Sequence, residues 1–421
     1  MKFISTRGKS PQLSASEAML QGLATDGGLY VPTHFPQMNL RHLASCGSYA
    51  ELAYEVLAPF FVGDELESEL AEICTEAFNF PLPLHWHTPH KGVLELFWGP
   101  TAAFKDFGAR FLASSMERLL KKRNQDLTIL VATSGDTGGA VASAFYHKEH
   151  LKVKVLFPQG RVSARQQQQL TCWADNVESF AVKGVFDDCQ TMVKQAFMDT
   201  ELQKKVALSS ANSINLGRLL PQMVYPFFAA LESVRLHQAE PTLIIPSGNV
   251  GNSCGSFWAK ECGAPIANIV LALNNNTTVA DYIASGVYEK RPSVATLANA
   301  MDVGDPSNME RLRHLYNNHQ SFINEVQAYS VSDQKIIETI QEIYNTYSYI
   351  VCPHTATGEY VRSLVQSNTP TIVYATAHPA KFDTIVEPAI GTTVEVPPQL
   401  ASLLASPSVF KEIEADYRLL F

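Results

Sequence analysis

The chain has 421 residues, more than one hydrophobic core normally organises, so two or three packed units are expected. Its composition, 46% hydrophobic and 17% charged, is that of an ordinary soluble globular protein, and a formal net charge of −9 argues against nucleic acid or an anionic membrane surface as a partner. A small anionic substrate stays open, because a pocket can be locally positive on an acidic protein.

The N-terminus carries Lys2, Arg7 and Lys9 but no sustained apolar run, so no signal peptide is expected. No stretch approaches the roughly 20 apolar residues of a membrane helix. The cysteines are dispersed, odd in number and form no CxxC pair, which disfavours a disulfide framework and fits a reducing cytoplasm. Residues 1–90 read as mixed, helix-rich material interrupted by prolines, with Pro81, Pro83 and Pro89 marking a boundary. His85, His87 and His90 form HxHxxH there, and an extended run puts the first two on one face. No cysteine or acidic fourth ligand lies nearby, so no metal is expected.

From about residue 90, short apolar runs end in Gly- or Ser-rich turns and lead into helical periodicity. The clearest are Leu127–Ala132, Val153–Phe157, Thr242–Ile245, Ile269–Leu273 and Thr371–Ala375. Buried parallel strands feeding helices have this form, so the expected fold is α/β, with two open, twisted, mostly parallel sheets flanked by helices. Three units are expected: residues 1–90, 91–235 and 236–421.

Five segments carry candidate chemistry. In GPTAAFKDFGARFL (99–112), Phe104, Phe107 and Phe111 fall at helical spacing and form a buried stripe, with Lys105 off it. Gly108 and Ala109, one turn on, leave room for a planar ring beside the lysine, and apolar flanks would lower its pKa, as a Schiff-base lysine requires. Taken alone, a lysine in such a pattern is far more often a surface lysine on an amphipathic helix. ATSGDTGGAVASAF (132–145) reads as strand, polar turn and helix; Ser134, Gly135, Thr137 and Gly138 offer donors for a carboxylate. Asp136 would repel an anion, so it either caps the helix or accepts a bond from a ligand hydroxyl. The segment lacks the GxGxxG dinucleotide fingerprint, which disfavours a nicotinamide enzyme. SANSINLGR (210–218) gathers amides and hydroxyls before Arg218, whose planar fork matches phosphate, although a solvated loop also fits. TLIIPSGNVGN (242–252) runs a strand into a turn with Gly248 and Gly251, with a helix beginning near Ser253. Its N–H groups and the helix dipole could hold a phosphate, or the turn could simply join strand to helix. In TIVYATAHPAKFD (371–383), Thr376 follows a buried strand, where open α/β sheets place ligands. His378, two residues on, could relay protons or pack at the strand end.

These segments, in this order, resemble the threonine synthase family of fold-type II pyridoxal-phosphate enzymes, built like the tryptophan synthase β chain with an extra N-terminal domain. ISTRG (4–8) and TDGGLYVP (25–32) extend the resemblance over nearly the whole chain, and FKDFGARF and AHPAKF are its most specific parts. The resemblance implies that Lys105 holds pyridoxal 5'-phosphate as a Schiff base, that Gly248, Asn249, Val250, Gly251 and Asn252 cradle its phosphate, and that Thr376 faces the pyridine nitrogen. It places Asp136 near the phenolic oxygen, where many relatives carry Asn; Val250 stands where Phe or Ala is common. Ser134, Thr137, Asn212, Ser213 and Arg218 match substrate-binding positions. The implied reaction converts O-phospho-L-homoserine and water to L-threonine and phosphate, in a cytoplasmic monomer or homodimer. Two alternatives stand beside it: a related dehydratase or phospho-lyase, and a non-catalytic phospho-ligand-binding protein on the same scaffold.

Overall fold

A computed structural model of the protein describes residues 1–133 and 135–421. The strands, in chain order, are β1 (Phe3–Ser5), β2 (Tyr30–Pro32), β3 (Leu84–Thr88), β4 (Lys91–Glu95), β5 (Leu127–Ala132), β6 (Leu151–Pro158), β7 (Val177–Val182), β8 (Leu208–Ser210), β9 (Thr242–Pro246), β10 (Asn268–Leu273), β11 (Val326–Ser330), β12 (Thr371–Ala375) and β13 (Lys411–Ile413). They form three sheets: the antiparallel pair β1–β2, a six-stranded sheet ordered β11-β10-β9-β12-β4-β3, and a five-stranded sheet ordered β13-β7-β6-β5-β8. Only β3 runs antiparallel in the six-stranded sheet, and the five-stranded sheet is parallel throughout.

Strands β5, β9 and β12 are buried along their whole length, because helices cover both faces of each parallel sheet. That is why they appear in the sequence as continuous apolar runs rather than alternating ones. Each sheet also draws on distant chain: β4 pairs with β12, and β13 returns to edge the smaller sheet against β7.

The strand order assembles the candidate segments. In the larger sheet β12 lies between β4 and β9, with Val373 opposite both Val93 and Ile244. The chain leaving β4 toward Lys105, the turn after β9 and Thr376 after β12 therefore emerge at one carboxyl edge. In the smaller sheet β5 and β8 are neighbours, so residues 135–137 and 211–218 likewise lie at one edge.

Helix Lys105–Arg123 buries Phe107, Phe111, Leu112, Met116 and Leu119 completely, while Phe104 at its N-cap is only half-buried. N-terminal aromatic residues close over this stripe. Phe78 stacks on Phe111 with ring centroids 6.2 Å apart, and Tyr49 meets Phe107 edge-on at 5.7 Å. Each such side chain contributes roughly 1.5–3 kcal/mol by leaving water, so the helix bearing Lys105 is clamped from its far side. No helix among the described residues is long and apolar enough to cross a membrane.

Candidate active site

Lys105 is the first residue of its helix, and the turn before it is held from two directions. The Asp106 carboxylate accepts the Thr101 N–H at 2.8 Å and the Thr101 hydroxyl at 2.7 Å. Phe104 N–H donates to the Thr376 carbonyl at 2.9 Å and His378 N–H to the Ala102 carbonyl at 3.0 Å, stitching the turn to the chain beyond β12. Ala102 carries a left-handed φ of 54°, a conformation non-glycine residues rarely adopt.

Protein surrounds the Lys105 amine closely, yet part of the side chain stays accessible. Burial lowers its pKa from 10.5 to about 8; Asp136 pulls it upward, and Lys381 and Arg218 push it further down. Near pH 8 about half the population is free amine rather than well under one per cent.

The open space expected beside Gly108 is occupied. A Cβ there would lie 2.5 Å from the Arg218 carbonyl oxygen, so the missing side chain admits the Arg218 backbone instead of a ring.

Asp136 opens helix Asp136–Phe145 just after Gly135, which supplies the cap at φ 146°. The Asp136 carboxylate is buried and pairs with Lys381 Nζ at 2.8 Å, with Gln166 Nε2 at 3.3 Å. Burial opposes its ionisation, but the charges of Lys381 and Lys105 prevail and hold it well below the usual carboxylate range. Lys381 is fully buried and also donates to the Thr101 carbonyl at 2.9 Å, so it bridges the Lys105 turn and Asp136. Sequence reasoning missed this lysine, although its position in the apolar run AHPAKF was the available signal. Nearby, His354 Nε2 accepts the Ala300 N–H at 3.1 Å, and burial lowers its pKa to about 4.

The turn after β9 has the form of an anion cradle. Helix Gly251–Glu261 begins two residues earlier than expected, and among the described residues the N–H groups of 248–252 donate to no protein acceptor. Gly248 is required because a Cβ would come within 2.6 Å of the Met301 Cα. Val250 takes φ 62°, rare for a β-branched residue. Asn252 is buried, and its amide donates to the Pro246 carbonyl at 3.0 Å, fixing the turn's exit.

The loop after β8 packs against this cradle: Asn249 Nδ2 donates to Ser213 Oγ at 2.6 Å. Arg218 is buried, no carboxylate among the described residues forms an ion pair with it, and its Nε has no partner. Burial lowers its pKa to about 10, so it stays charged. Asn212 Oδ1 is likewise buried without a partner. Thr137 is half-buried on helix Asp136–Phe145. Ser134 lies outside the described residues.

Thr376 is buried, and its hydroxyl has no hydrogen-bond partner among the described residues, whereas its carbonyl holds the Lys105 turn. His378 caps the short helix Pro379–Phe382, its Nδ1 accepting the Ala380 N–H at 3.2 Å, and its ring meets Phe97 edge-on. The other histidines lie on or beside the β3–β4 hairpin. His85 approaches Glu95 at 3.4 Å, His87 stacks on Tyr347 with centroids 4.6 Å apart, and the carbonyl of His90 accepts the Thr371 N–H.

A row of free amides for a phosphate, a lysine of lowered pKa and an unengaged hydroxyl at Thr376 fit pyridoxal phosphate. The unpaired Arg218 suits a second anion.

Comparison with known proteins agrees. Family models match residues 2–78 (threonine synthase N terminus), 94–365 (pyridoxal-phosphate dependent enzyme) and 354–420 (threonine synthase, C-terminal). The threonine synthase of Escherichia coli strain K12 is 36% identical, over 99% of this chain and 97% of its own. That of Pseudomonas aeruginosa PAO1 is 34% identical, over 96% and 93%. The crystal structure of pyridoxal-phosphate-bound threonine synthase from Brucella melitensis superposes with a TM-score of 0.93 at 34% identity, covering 100% of this chain and 98% of that one. A pyridoxal 5'-phosphate-dependent aspartate racemase, at 10% identity and a TM-score of 0.53, shares the fold alone. The chain belongs to the threonine synthase family of fold-type II pyridoxal-phosphate enzymes.

Proposed function

We propose that the protein converts O-phospho-L-homoserine and water to L-threonine and phosphate. One observation carries this reading. Two anion-receptive sets, the amides of 248–252 and the buried Arg218 with Asn212 and Ser213, meet through the Asn249–Ser213 bond and share one low-pKa lysine. A cofactor and a substrate that both bear phosphate need that arrangement.

Bound through Lys105, pyridoxal phosphate supplies an electron sink for charge developing on the substrate's α and β carbons. The chain's own groups do the rest. Lys105, released when the substrate amine takes its place, is a base able to accept the Cα proton, since its pKa of about 8 leaves much of it neutral. Arg218, Asn212, Ser213 and Thr137 hold the substrate phosphate so that it can leave from Cγ. Thr376 offers the ring nitrogen a neutral hydroxyl rather than a carboxylate. Asp136, kept ionised by Lys381, would stand as a hydrogen-bond acceptor beside the cofactor's phenolic oxygen. A second proton must leave Cβ as the phosphate departs, and one must reach Cγ before water adds at Cβ and Cα regains its proton; Lys105 would then recover its place and free threonine.

Incubation with O-phosphohomoserine tests the reading. Threonine and phosphate in equal amounts support it, whereas a keto acid with ammonia indicates a phospho-lyase and no product a binding protein. The seven cysteines are all free thiols, which supports a cytoplasmic protein. A monomer or homodimer is proposed, to be measured by sedimentation. Units of 1–90, 91–235 and 236–421 are proposed as stretches of chain, with β3 and β4 lent to the six-stranded sheet and β13 to the five-stranded one, to be tested by limited proteolysis.

A further inference from the structure

Arg311 is completely buried, yet it lies outside every segment that the chemistry singles out. Its guanidinium gathers four oxygen atoms from three parts of the chain. Nε donates to the Tyr30 carbonyl at 3.0 Å, one terminal nitrogen to the Ser213 carbonyl at 3.1 Å and Asn308 Oδ1 at 2.6 Å, and the other to the Ile214 carbonyl at 2.7 Å. All four acceptors are neutral, and no carboxylate among the described residues forms an ion pair with it. Taking a cation out of water costs several kcal/mol; four hydrogen bonds and the face of Trp258, its centroid 5.9 Å away, offset part of that, yet the charge has no counter-ion among the described residues.

Asn308, also fully buried, extends the network. Its Nδ2 donates to the Asn249 carbonyl at 3.1 Å and to Ser213 Oγ at 3.3 Å while its Oδ1 receives Arg311. In a planar trans peptide the carbonyl and the following N–H point in opposite directions. By gripping the Asn249 carbonyl, Asn308 therefore turns the Val250 N–H away from itself, and Val250 is the residue held at φ 62°. A left-handed valine persists only where its surroundings over-determine it.

We propose that Arg311 and Asn308 are positioning residues for the cofactor phosphate: Asn308 sets the 249–250 peptide so that its N–H serves the cradle, and Arg311 fixes Asn308 and the Ser213–Ile214 loop while adding uncompensated positive charge behind them. The proposal rests on the reading of residues 248–252 as the phosphate cradle. Burial lowers the Arg311 pKa to about 10, far above neutrality, so the charge is present under working conditions.

The test compares the binding of pyridoxal 5'-phosphate and of pyridoxal, which lacks the phosphate, to cofactor-free full-length protein. Both form the same bond with Lys105, so the ratio of their affinities isolates the phosphate contribution. Arg311→Met is expected to reduce that ratio by about a hundredfold and Arg311→Lys by about tenfold, as expected for loss of charge-assisted hydrogen bonds. Asn308→Ala, which takes one neutral acceptor from Arg311 and leaves its three backbone carbonyls, is expected to reduce it by about tenfold and carries the test should Arg311→Met not fold. Variants that bind both compounds more weakly but keep the wild-type ratio overturn the proposal, since a merely structural role lowers both equally. A wild-type protein with no preference for the phosphorylated compound overturns the cradle reading itself, and this proposal with it.

Discussion

Lys381→Met removes the cation that neutralises Asp136 beside the reactive lysine. In the wild type burial lowers the Lys105 pKa, Asp136 raises it and Lys381 lowers it again, leaving about 8. With Lys381 gone, the Asp136 carboxylate, buried and formerly paired at 2.8 Å, has Lys105 as its remaining strong charge partner. A nearby opposite charge shifts a pKa by about 1–3 units. Taking the lower end, Lys105 moves to about 9 and its neutral fraction at pH 7.5 falls from about a quarter to about three per cent. The second-order rate of Schiff-base formation with added pyridoxal phosphate should then drop about eightfold at pH 7.5 and recover above pH 9. Stopped-flow absorbance of cofactor-free protein across pH 6.5–10 reads this directly. Breaking a buried pair also destabilises by roughly 3–5 kcal/mol, so the double variant Lys381→Met/Asp136→Asn is the control: with both charges removed, the midpoint should fall back to the wild-type value or somewhat below it, because Asp136 weighs more on Lys105 than Lys381 does. A midpoint unmoved in Lys381→Met, or moved equally in the double variant, refutes the electrostatic reasoning.

Three further outcomes follow from the same geometry. Arg218→Met should raise the KM for O-phosphohomoserine at least about tenfold while leaving pyridoxal phosphate affinity unchanged, as equilibrium titration would show. Gly108→Ala forces a Cβ to within 2.5 Å of the Arg218 carbonyl and should cost about 1–3 kcal/mol in urea unfolding, together with weakened substrate binding. In cofactor-free protein Lys105 is protonated up to about pH 8 when folded and up to 10.5 when unfolded. The unfolded chain binds more protons in that window, so stability rises with pH there, by at most about 3 kcal/mol, less whatever water still reaches the amine. Lys105→Met should lack that rise.

Strands buried on both faces were legible as apolar runs: β5 and β12 fall at the expected residues, and β6, β9 and β10 within two residues at either end. Strand β13, KEI, has no apolar run at all, and it exists because β7 presents an edge for it. The hairpin β3–β4 falls where prolines suggested a boundary, because Pro81, Pro83 and Pro89 flank its strands rather than interrupt them. At the site, glycine turns and hydroxyls could be read locally, since backbone geometry dictates them. Arg311 could not, and Lys381 only through its place in AHPAKF. A charged side chain is buried only through partners far along the chain, here Asp136 and the Tyr30 carbonyl. The space beside Gly108 was misjudged for the same reason, because the loop that fills it arrives from residue 218.

The account depends on which amine carries the cofactor, and the site holds two buried lysines that could compete. Borohydride reduction of the protein loaded with pyridoxal 5'-phosphate, followed by digestion and mass mapping, decides between them. The label is expected on the peptide containing Lys105; a label on Lys381, or on any other residue, would contradict the assignment.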